Sequence, residues 1–243
     1  MIYMKQILRF AAKITLHIIS FILILLILIG GFYGIKGYQM YQKAIEDTPI
    51  SDIVGTVHES EHFTPYNELP SIYVDAVISA EDKRFFSHPG IDPLAIGRAV
   101  WTDIRTLSFA EGGSTITQQI AKNQLFTQEK KVERKFAEIF AALALEKECS
   151  KEELFELYVN TIYFGSGYYG IYDAAQGYFG KSPSELTDYE AIMLAGIPNA
   201  PSNYSPDTDM ELARKRMSSV LEKMVACDKL TEKQADHILT QSP

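Results

Sequence analysis

The feature that most constrains this chain is an apolar run near its N-terminus. From Ile14 to Ile35, 22 consecutive residues carry no formal charge, and the centre of the run is almost entirely Ile, Leu and Phe. About 20 apolar residues are enough for a helix to cross a bilayer. The run therefore predicts a transmembrane anchor at residues 14–35, with a cytoplasmic tail at 1–13 before it and a linker at 36–55 after it.

The charges around this run predict its orientation. Lys5, Arg9 and Lys13 precede it, and an excess of basic residues marks the cytoplasmic side of a membrane helix. The N-terminus is therefore expected inside and the rest of the chain outside. The alternative is a cleaved signal peptide, which has an apolar stretch of about 7–15 residues and a small-residue cleavage site. The run is longer than that, and Gly34-Ile35-Lys36 is a poor site, so the anchor is favoured.

The rest of the chain is long enough for one hydrophobic core. Apolar residues recur with helical spacing, and capping boxes at Ser150–Glu153 and Thr187–Glu190 mark two helix starts. A short hairpin is possible near Ile53–Phe63, but no run of alternating strands is evident. Helices are predicted at 67–85, 115–123, 132–147, 150–160, 187–196, 209–226 and 231–240.

One carboxylate interrupts the apolar face of the first of these helices. At helical spacing, Val74, Ile78, Glu81 and Phe85 share one stripe. A buried carboxylate is costly unless it is paired or used, and burial favours proton uptake, which suits a general acid or base. Alternatively, Glu81 turns to solvent at the helix end or pairs with an arginine.

Two further segments could hold an anion. Residues 112–119 join two glycines to a hydroxyl run that opens a helix, and N–H groups at a helix N-terminus favour anions; the alternative is an ordinary N-cap turn. Between Lys122 and Glu138, five basic and two acidic residues give a charge of +3 before Glu138, in a chain of net charge −8. A local basic patch in an acidic protein suggests an anionic ligand, although a solvated, salt-bridged helix face is the usual meaning of such a run.

Other classes of site are disfavoured. The net charge of −8 argues against nucleic acid as a partner, because phosphate binding needs a basic surface. Cys149 and Cys227 are expected to be unrelated thiols. His58-Glu59-Ser60-Glu61-His62 has the letters of a zinc-protease motif, but Pro65 follows at once and a third ligand is missing, so we expect a polar loop.

Four motifs in order indicate a family. They are Glu81-Asp82-x-x-Phe85-x-x-His88-x-Gly90, Gly112-Gly113-Ser114-Thr115-Ile116-Thr117-Gln118-Gln119, Arg134-Lys135-x-x-Glu138 and Glu156-Leu157-Tyr158-Val159-Asn160. This series resembles the peptidoglycan glycosyltransferases of family 51. The resemblance continues through 163–181 and 194–198, and it covers residues 68–224.

The resemblance implies a fold and a reaction. The fold is mainly α, with a lysozyme-like helical head and a smaller membrane-associated jaw, preceded by one N-terminal transmembrane helix; the glycosyltransferase domain is expected at 56–243 and the jaw at about 92–112. The reaction is polymerisation of lipid II into β-1,4-linked glycan strands, with inversion and loss of undecaprenyl pyrophosphate. No Ser-x-x-Lys sequence is present, so a transpeptidase activity is not expected.

The resemblance also assigns residues. Glu81 matches the general base, and Glu138 matches the second glutamate, which positions cations or a divalent metal (Mg or Mn) at the pyrophosphate. Lys130 stands where the family usually has Arg, so the bidentate contact of a guanidinium is lost there. The expected substrate-binding residues are Lys122, Lys130, Arg134, Lys135, Ser114, Thr115, Gln118, Gln119 and His88.

Two other functions remain open at this point. A lysozyme-like enzyme that cleaves glycan needs an acidic residue but no basic patch, and a membrane-anchored cell-wall scaffold needs neither Glu81 nor Glu138. The partners expected from the resemblance are lipid II, the growing lipid-linked glycan, the membrane, and cell-wall synthesis or division proteins. The expected location is the cell membrane, as a single-pass protein with its catalytic domain outside the cytoplasm.

Overall fold

The chain is mainly helical over the residues that the computed structural model describes, which are 2–106, 112–127, 129 and 131–241. The prediction of a mainly α fold is confirmed. Within those residues the β pairing is one isolated bridge, between Tyr163 and Tyr169. The helices are α1 (Ile2–Asp47), α2 (Ile50–His58), α3 (Ser71–Glu81), α4 (Pro93–Thr106), α5 (Ile116–Leu125), α6 (Val132–Glu148), α7 (Lys151–Thr161), α8 (Ile171–Phe179), α9 (Asp188–Gly196), α10 (Pro201–Tyr204), α11 (Met210–Ala226) and α12 (Glu232–Leu239).

The anchor is one long helix. The stretch Lys13–Asp47 of α1 is long and apolar enough to cross a membrane, and the apolar part of it is not buried within the molecule. This agrees with the predicted anchor at residues 14–35. The helix does not stop there, however: α1 continues to Asp47 and α2 follows at Ile50, so most of the predicted linker at 36–55 is helical.

The hairpin prediction near Ile53–Phe63 is wrong, because α2 occupies its first half. Ile50, Ile53 and Val57 are the buried residues of α2, and their spacing of three and four residues is that of a helix face. β-branched residues have a modest preference for strands, but packing overrides that preference here. Both cysteines are free thiols, as expected.

The core is centred on α9. Every residue of this helix from Tyr189 to Gly196 is buried, as expected for a helix that is apolar on all sides. Its start is the predicted capping box, in which Thr187 Oγ1 accepts from the Glu190 backbone N–H and Glu190 accepts from the Thr187 N–H. Helices α3 and α11 both pack on α9 and on each other, and this three-helix unit forms one wall of the site described below.

Helix α4, unlike the buried α9, exposes apolar side chains. Leu94, Val100 and Trp101 are all exposed, Trp101 to 66%. These residues lie in the segment that the sequence assigned to the membrane-associated jaw, and they leave an apolar face outside the core. The last part of that segment, residues 107–111, lies outside the described residues.

Candidate active site

A cavity of about 750 Å³ lies between the end of α3, the start of α5, and helices α6 and α11. Five of its lining residues are basic and two are acidic, so the charge of its wall is positive. The basic residues are Lys83, Arg98, Lys122, Arg216 and Lys223, and the acidic ones are Glu81 and Glu138. The two glutamates that the motifs single out therefore face the same space.

Glu81 is the last residue of α3. The predicted helix through Phe85 is four residues too long, because the backbone leaves helical geometry at Asp82, where φ is −155°. The end of α3 is stabilised from another helix, since Lys223 Nζ donates to the Ala80 carbonyl at 2.8 Å. The Glu81 side chain is thus placed at a helix end that opens into the cavity.

The two carboxylate oxygens of Glu81 have different surroundings. Oε2 accepts a hydrogen bond from Gln119 Nε2 at 3.0 Å. Oε1 is buried without a hydrogen-bond partner and lies 3.6 Å from Arg216 Nη2. A carboxylate held through one oxygen, with the other free and beside a cation, can take a proton from a substrate hydroxyl.

Tyr158 lies buried near Glu81. Burial, and then the negative charge of Glu81, hold the pKa of the Tyr158 hydroxyl well above its ordinary value. The hydroxyl therefore stays protonated, and it has no hydrogen-bond partner among the described protein groups. Tyr158 therefore presents a neutral hydroxyl donor near the Glu81 carboxylate, and not a second negative charge.

Glu138 is the second buried carboxylate. Its side chain is 2% exposed and lies 3.3 Å from Arg134 Nε and 2.9 Å from Lys135 Nζ, both on α6. Lys135 Nζ also donates to Ser114 Oγ at 2.6 Å, which joins α6 to the residue before the α5 cap. A carboxylate buried to this degree needs such partners, and it holds both cations next to a residue that lines the cavity.

The start of α5 is a closed capping box. The Thr115 side chain accepts from the Gln118 backbone N–H, and the Gln118 side chain accepts from the Thr115 N–H. The Ile116 N–H donates to Asp82 Oδ2 at 3.1 Å. The N–H groups of Thr115, Ile116 and Gln118 are therefore bound within the protein, and anion binding at this helix N-terminus stays a prediction.

His88 belongs to the framework of the site. It is buried, and its Nε2 donates to Asp82 Oδ2 at 2.9 Å, while its Nδ1 accepts from the Gly90 N–H. Asp82 thereby ties the end of α3 to both His88 and the first turn of α5. His88 and Thr115, which were expected to bind substrate, do not line the cavity.

The predicted site residues thus fall into four groups, of which His88 and Thr115, away from the cavity lining, are the first. Lys130 lies outside the described residues, and Arg134 and Lys135 contact the cavity through Glu138. Six line the cavity directly: Glu81, Ser114, Gln118, Gln119, Lys122 and Glu138.

The sequence analysis missed the contribution of α11. Arg216 lies among the buried residues Ala213, Met217 and Val220 of this helix, so a charge interrupts an apolar stripe there just as Glu81 does in α3. That signal was available in the sequence. The sequence analysis also missed Lys83, Arg98, Asn199 and Lys223, which are further polar or charged residues of the lining.

The histidines of the zinc-like sequence have separate partners. Helix α2 ends at His58, so the two imidazoles do not share a helix face. His58 lies 3.5 Å from Glu156, whereas His62 pairs with Asp173.

A resident metal is not supported by the donor set. Among the described residues, no group of three or more His, Cys, Asp or Glu side chains is arranged to hold a metal ion. Glu138 is the carboxylate that the sequence associated with a divalent cation, and its neighbours are two cations rather than further oxygen ligands. Magnesium in proteins is bound by oxygen ligands, often with substrate phosphates supplying several of them. The protein alone therefore does not complete such a site.

The fold and the cavity define a helical enzyme with a membrane anchor and two acidic groups in a basic cleft. The family model described as Transglycosylase matches residues 46–225. The chain belongs to this family and carries a peptidoglycan glycosyltransferase domain, as the motifs predicted.

Two curated relatives support the same family. Penicillin-binding protein 1A of Neisseria flavescens is 42% identical over 190 residues, 78% of this chain and 24% of that protein. Penicillin-binding protein 1F of Bacillus subtilis is 42% identical over 177 residues, 73% of this chain and 25% of that protein. The chain thus spans about a quarter of the length of these curated relatives. A crystal structure of Penicillin-Binding Protein 1A from Haemophilus influenzae aligns at 38% identity with a TM-score of 0.37, over 38% of this chain and 14% of that one.

Proposed function

We propose that this protein polymerises lipid II into linear β-1,4-linked glycan strands at the outer face of the cell membrane. The observation that carries the proposal is that Glu81 and Glu138 line one cavity together with five basic side chains. A base and a basic wall are what the reaction requires, because a sugar hydroxyl must lose a proton and a pyrophosphate must leave.

The proposed reaction has the following bond changes. Glu81 takes the proton from the 4-hydroxyl of the acceptor N-acetylglucosamine, and that oxygen attacks the anomeric carbon of the terminal N-acetylmuramic acid of the growing strand. The bond from that carbon to the pyrophosphate oxygen breaks, and undecaprenyl pyrophosphate leaves with the electron pair. Attack from the opposite face converts the α-linked donor into a β-1,4 bond, a single inverting displacement comparable to that of inverting glycosidases.

The basic residues stabilise the leaving group. Fixed cations that face a developing negative charge in a partly enclosed site lower the barrier more than they would in water. Lys122 lines the cavity directly, and Glu138 holds Arg134 and Lys135 beside it. The divalent cation stays a prediction: Glu138 would be the residue to hold it, it would neutralise charge on the leaving pyrophosphate, and no step above depends on it.

The test is to incubate the full chain, in detergent, with labelled lipid II. We expect polymer on a gel and release of undecaprenyl pyrophosphate, both lost in a Glu81→Gln variant of equal thermal stability. Solubilisation of finished cell wall without use of lipid II would favour the glycan-cleaving alternative, and absence of both activities would favour the scaffold. Interaction with cell-wall synthesis or division proteins is a separate prediction.

A further inference from the structure

The anchor helix packs against the helix that carries Glu138. Among the described residues, α1 and α6 form the most extensive helix pair of the molecule. The contact lies beyond the apolar run, where Tyr38 and Tyr41 of α1 meet Phe140 of α6 with ring centroids 5.2 and 6.2 Å apart. The part of α1 outside the predicted membrane span is therefore built into the domain.

One glycine allows this contact. Gly37 is buried, and a Cβ atom built there would lie 2.4 Å from Phe136 Cβ, 2.9 Å from the Glu133 carbonyl oxygen and 3.0 Å from the Ala137 backbone nitrogen. Two of these atoms belong to the backbone of α6 and cannot turn away. Carbon atoms in contact prefer separations of about 3.5–4.0 Å, so any larger residue at this position must push the two helices apart. Small residues serve the same purpose wherever helices approach closely.

The α6 residues that a Cβ at position 37 would meet are interspersed with the charged residues of the Glu138 cluster. Glu133 and Ala137 flank the segment that contains Arg134 and Lys135, and Glu138 comes next. The start of α6 has no side-chain cap of its own, since its N-cap residue, Lys131, makes no capping hydrogen bond. Close packing on α1 therefore holds the first turns of α6 on the face that contacts α1.

We propose that Gly37 is a positioning residue for the reaction, which holds the Glu138 cluster in place by letting the anchor helix pack directly on α6. The inference rests on the proposed glycosyltransferase function. It makes the segment of α1 just outside the membrane a part of the catalytic apparatus, whereas a simple tether would leave turnover independent of this contact.

The test compares two glycines of the same helix in the full-length protein. Gly37→Ala forces α1 away from α6, and a displacement of about 1 Å can cost about 100-fold in rate, so we expect turnover of lipid II to fall by about 10- to 100-fold. Gly34→Ala is the matched control, because a Cβ at Gly34 meets no atom within 4 Å. That variant should polymerise within about twofold of the wild type, because its added methyl group contacts nothing and leaves the geometry of the site unchanged.

A double-mutant cycle separates positioning from general destabilisation. If Gly37 acts through Glu138, adding Gly37→Ala to Glu138→Gln should cause little further loss, whereas a purely structural effect should multiply with it. Hydrogen exchange should rise in residues 132–138 of Gly37→Ala and not in α9. If Gly37→Ala does not fold, Phe140→Ala, which loosens the same helix pair without a clash, should show the same non-additive loss.

The outcomes are distinct. An active wild type with an equally active Gly37→Ala variant would overturn this inference alone, and so would losses that multiply in the cycle. A wild type that does not polymerise lipid II would overturn the proposed function and the inference with it.

Discussion

At the scale of single residues, the site depends on how Glu81 is held. Gln119 binds one of its oxygens, and the other faces Arg216 without a hydrogen bond. The motif resemblance suggested Glu81 as the base, but its position between an amide of α5 and a guanidinium of α11 is a feature of the folded chain. Replacing the carboxylate by an amide therefore removes the proton acceptor while the contact with Gln119 can remain.

Glu81→Gln is predicted to be the most damaging single change. The amide keeps the size of the side chain and can still accept from Gln119, so the melting temperature should change little. It cannot take the proton of the acceptor hydroxyl, and loss of a general base usually costs about 10²–10⁴ in rate. Asp82 cannot replace it, because its carboxylate is occupied by His88 and by the Ile116 N–H. Polymer formed from lipid II, measured beside a melting curve, checks this.

The matched control for Glu81→Gln is Glu222→Gln, a glutamate at an exposed position of α11. It makes the same chemical change away from the cavity and should leave polymerisation unchanged. A folded Glu81→Gln protein whose rate lies within about tenfold of the wild type, well short of the loss expected for a missing base, would mean that another residue accepts the proton.

Glu138→Gln and Lys135→Ala are predicted to reduce turnover while the protein remains folded. Each removes part of the charged cluster on α6, and loss of one fixed contact to a developing anion typically costs about 10²–10³ in rate. Lys135 is half exposed, so its loss leaves Glu138 with Arg134 and should be tolerated by the fold. Initial rates of polymerisation and melting temperatures of both variants are the measurement.

The control for this pair is Lys147→Ala, a lysine at an exposed position of the same helix. Its polymerisation rate should match that of the wild type. If both cluster variants also polymerise normally, the charges on α6 are only a solvated, salt-bridged surface, which is the alternative that the sequence left open.

The sequence indicates the position of a site residue where a motif or a local pattern exists, but it does not indicate the partners that come from other helices. Glu81 and Glu138 were found because both stand in recognisable motifs, and both line the cavity. Arg216 was not singled out, although the apolar stripe that it interrupts in α11 is visible in the sequence; its position against the end of α3 is a tertiary contact. The role of His88 as a buried partner of Asp82 likewise depends on tertiary contacts, and its expected contact with substrate stays a prediction.

At the scale of elements, helix starts were more predictable than helix ends. The capping boxes at Ser150 and Thr187 involve residues three apart, so the sequence contains both partners. The end of α3 is decided by groups that are distant in sequence, Lys223 at the Ala80 carbonyl and the Ile116 N–H at Asp82. The prediction of a helix that runs through Phe85 could not take these contacts into account. The hairpin error at α2 arose from weighting β-branched residues above the helical spacing of Ile50, Ile53 and Val57.

Helix α4 gives a prediction about pH. The Asp92 side chain accepts from the backbone N–H groups of Leu94 and Ala95 at the start of α4, and from Arg84 Nε at 2.9 Å. Burial raises the pKa of Asp92, but the hydrogen bonds from Arg84 and from the two N–H groups outweigh burial and leave the pKa below its ordinary value. Because the folded pKa is the lower one, this stabilisation is complete above the ordinary carboxyl pKa of about 4 and is lost as pH falls through the folded value.

Asp92→Asn should therefore be less stable than the wild type at neutral pH, and the difference should shrink in acid. Thermal melting of both proteins in detergent, from about pH 7 to about pH 3, spans the titration of a carboxyl whose pKa is depressed. Asp236→Asn, at an exposed position of α12, is the control and should show no such convergence. A gap between Asp92→Asn and the wild type that stays constant across this range would rule out the charged form of Asp92 as the source of the stabilisation.

At the scale of the whole molecule, the anchor and the catalytic domain form a continuous unit. Helix α1 leaves the apolar run and packs on α6 without an intervening loop. The sequence predicted the anchor from its length and apolarity, but it could not predict that the next twelve residues continue the helix, because a glycine at position 37 is normally unfavourable in a helix. Its close approach to α6 explains why it is there.

The orientation of this unit is the last prediction: the N-terminus is cytoplasmic and the catalytic domain is outside. Three basic residues, Lys5, Arg9 and Lys13, precede the apolar run, whereas the charges that follow it, from Lys36 to Asp47, are mixed in sign. Basic residues within about 15–20 residues of a membrane helix resist translocation, so the tail should stay inside. Two fusions after Pro243 test this, one to a reporter that works only outside the cytoplasm and one to a reporter that works only inside it. The outside reporter should be active and the inside reporter inactive. The reverse pattern in well-expressed fusions would refute the orientation, and the catalytic cavity would then face the wrong side of the membrane for the proposed function.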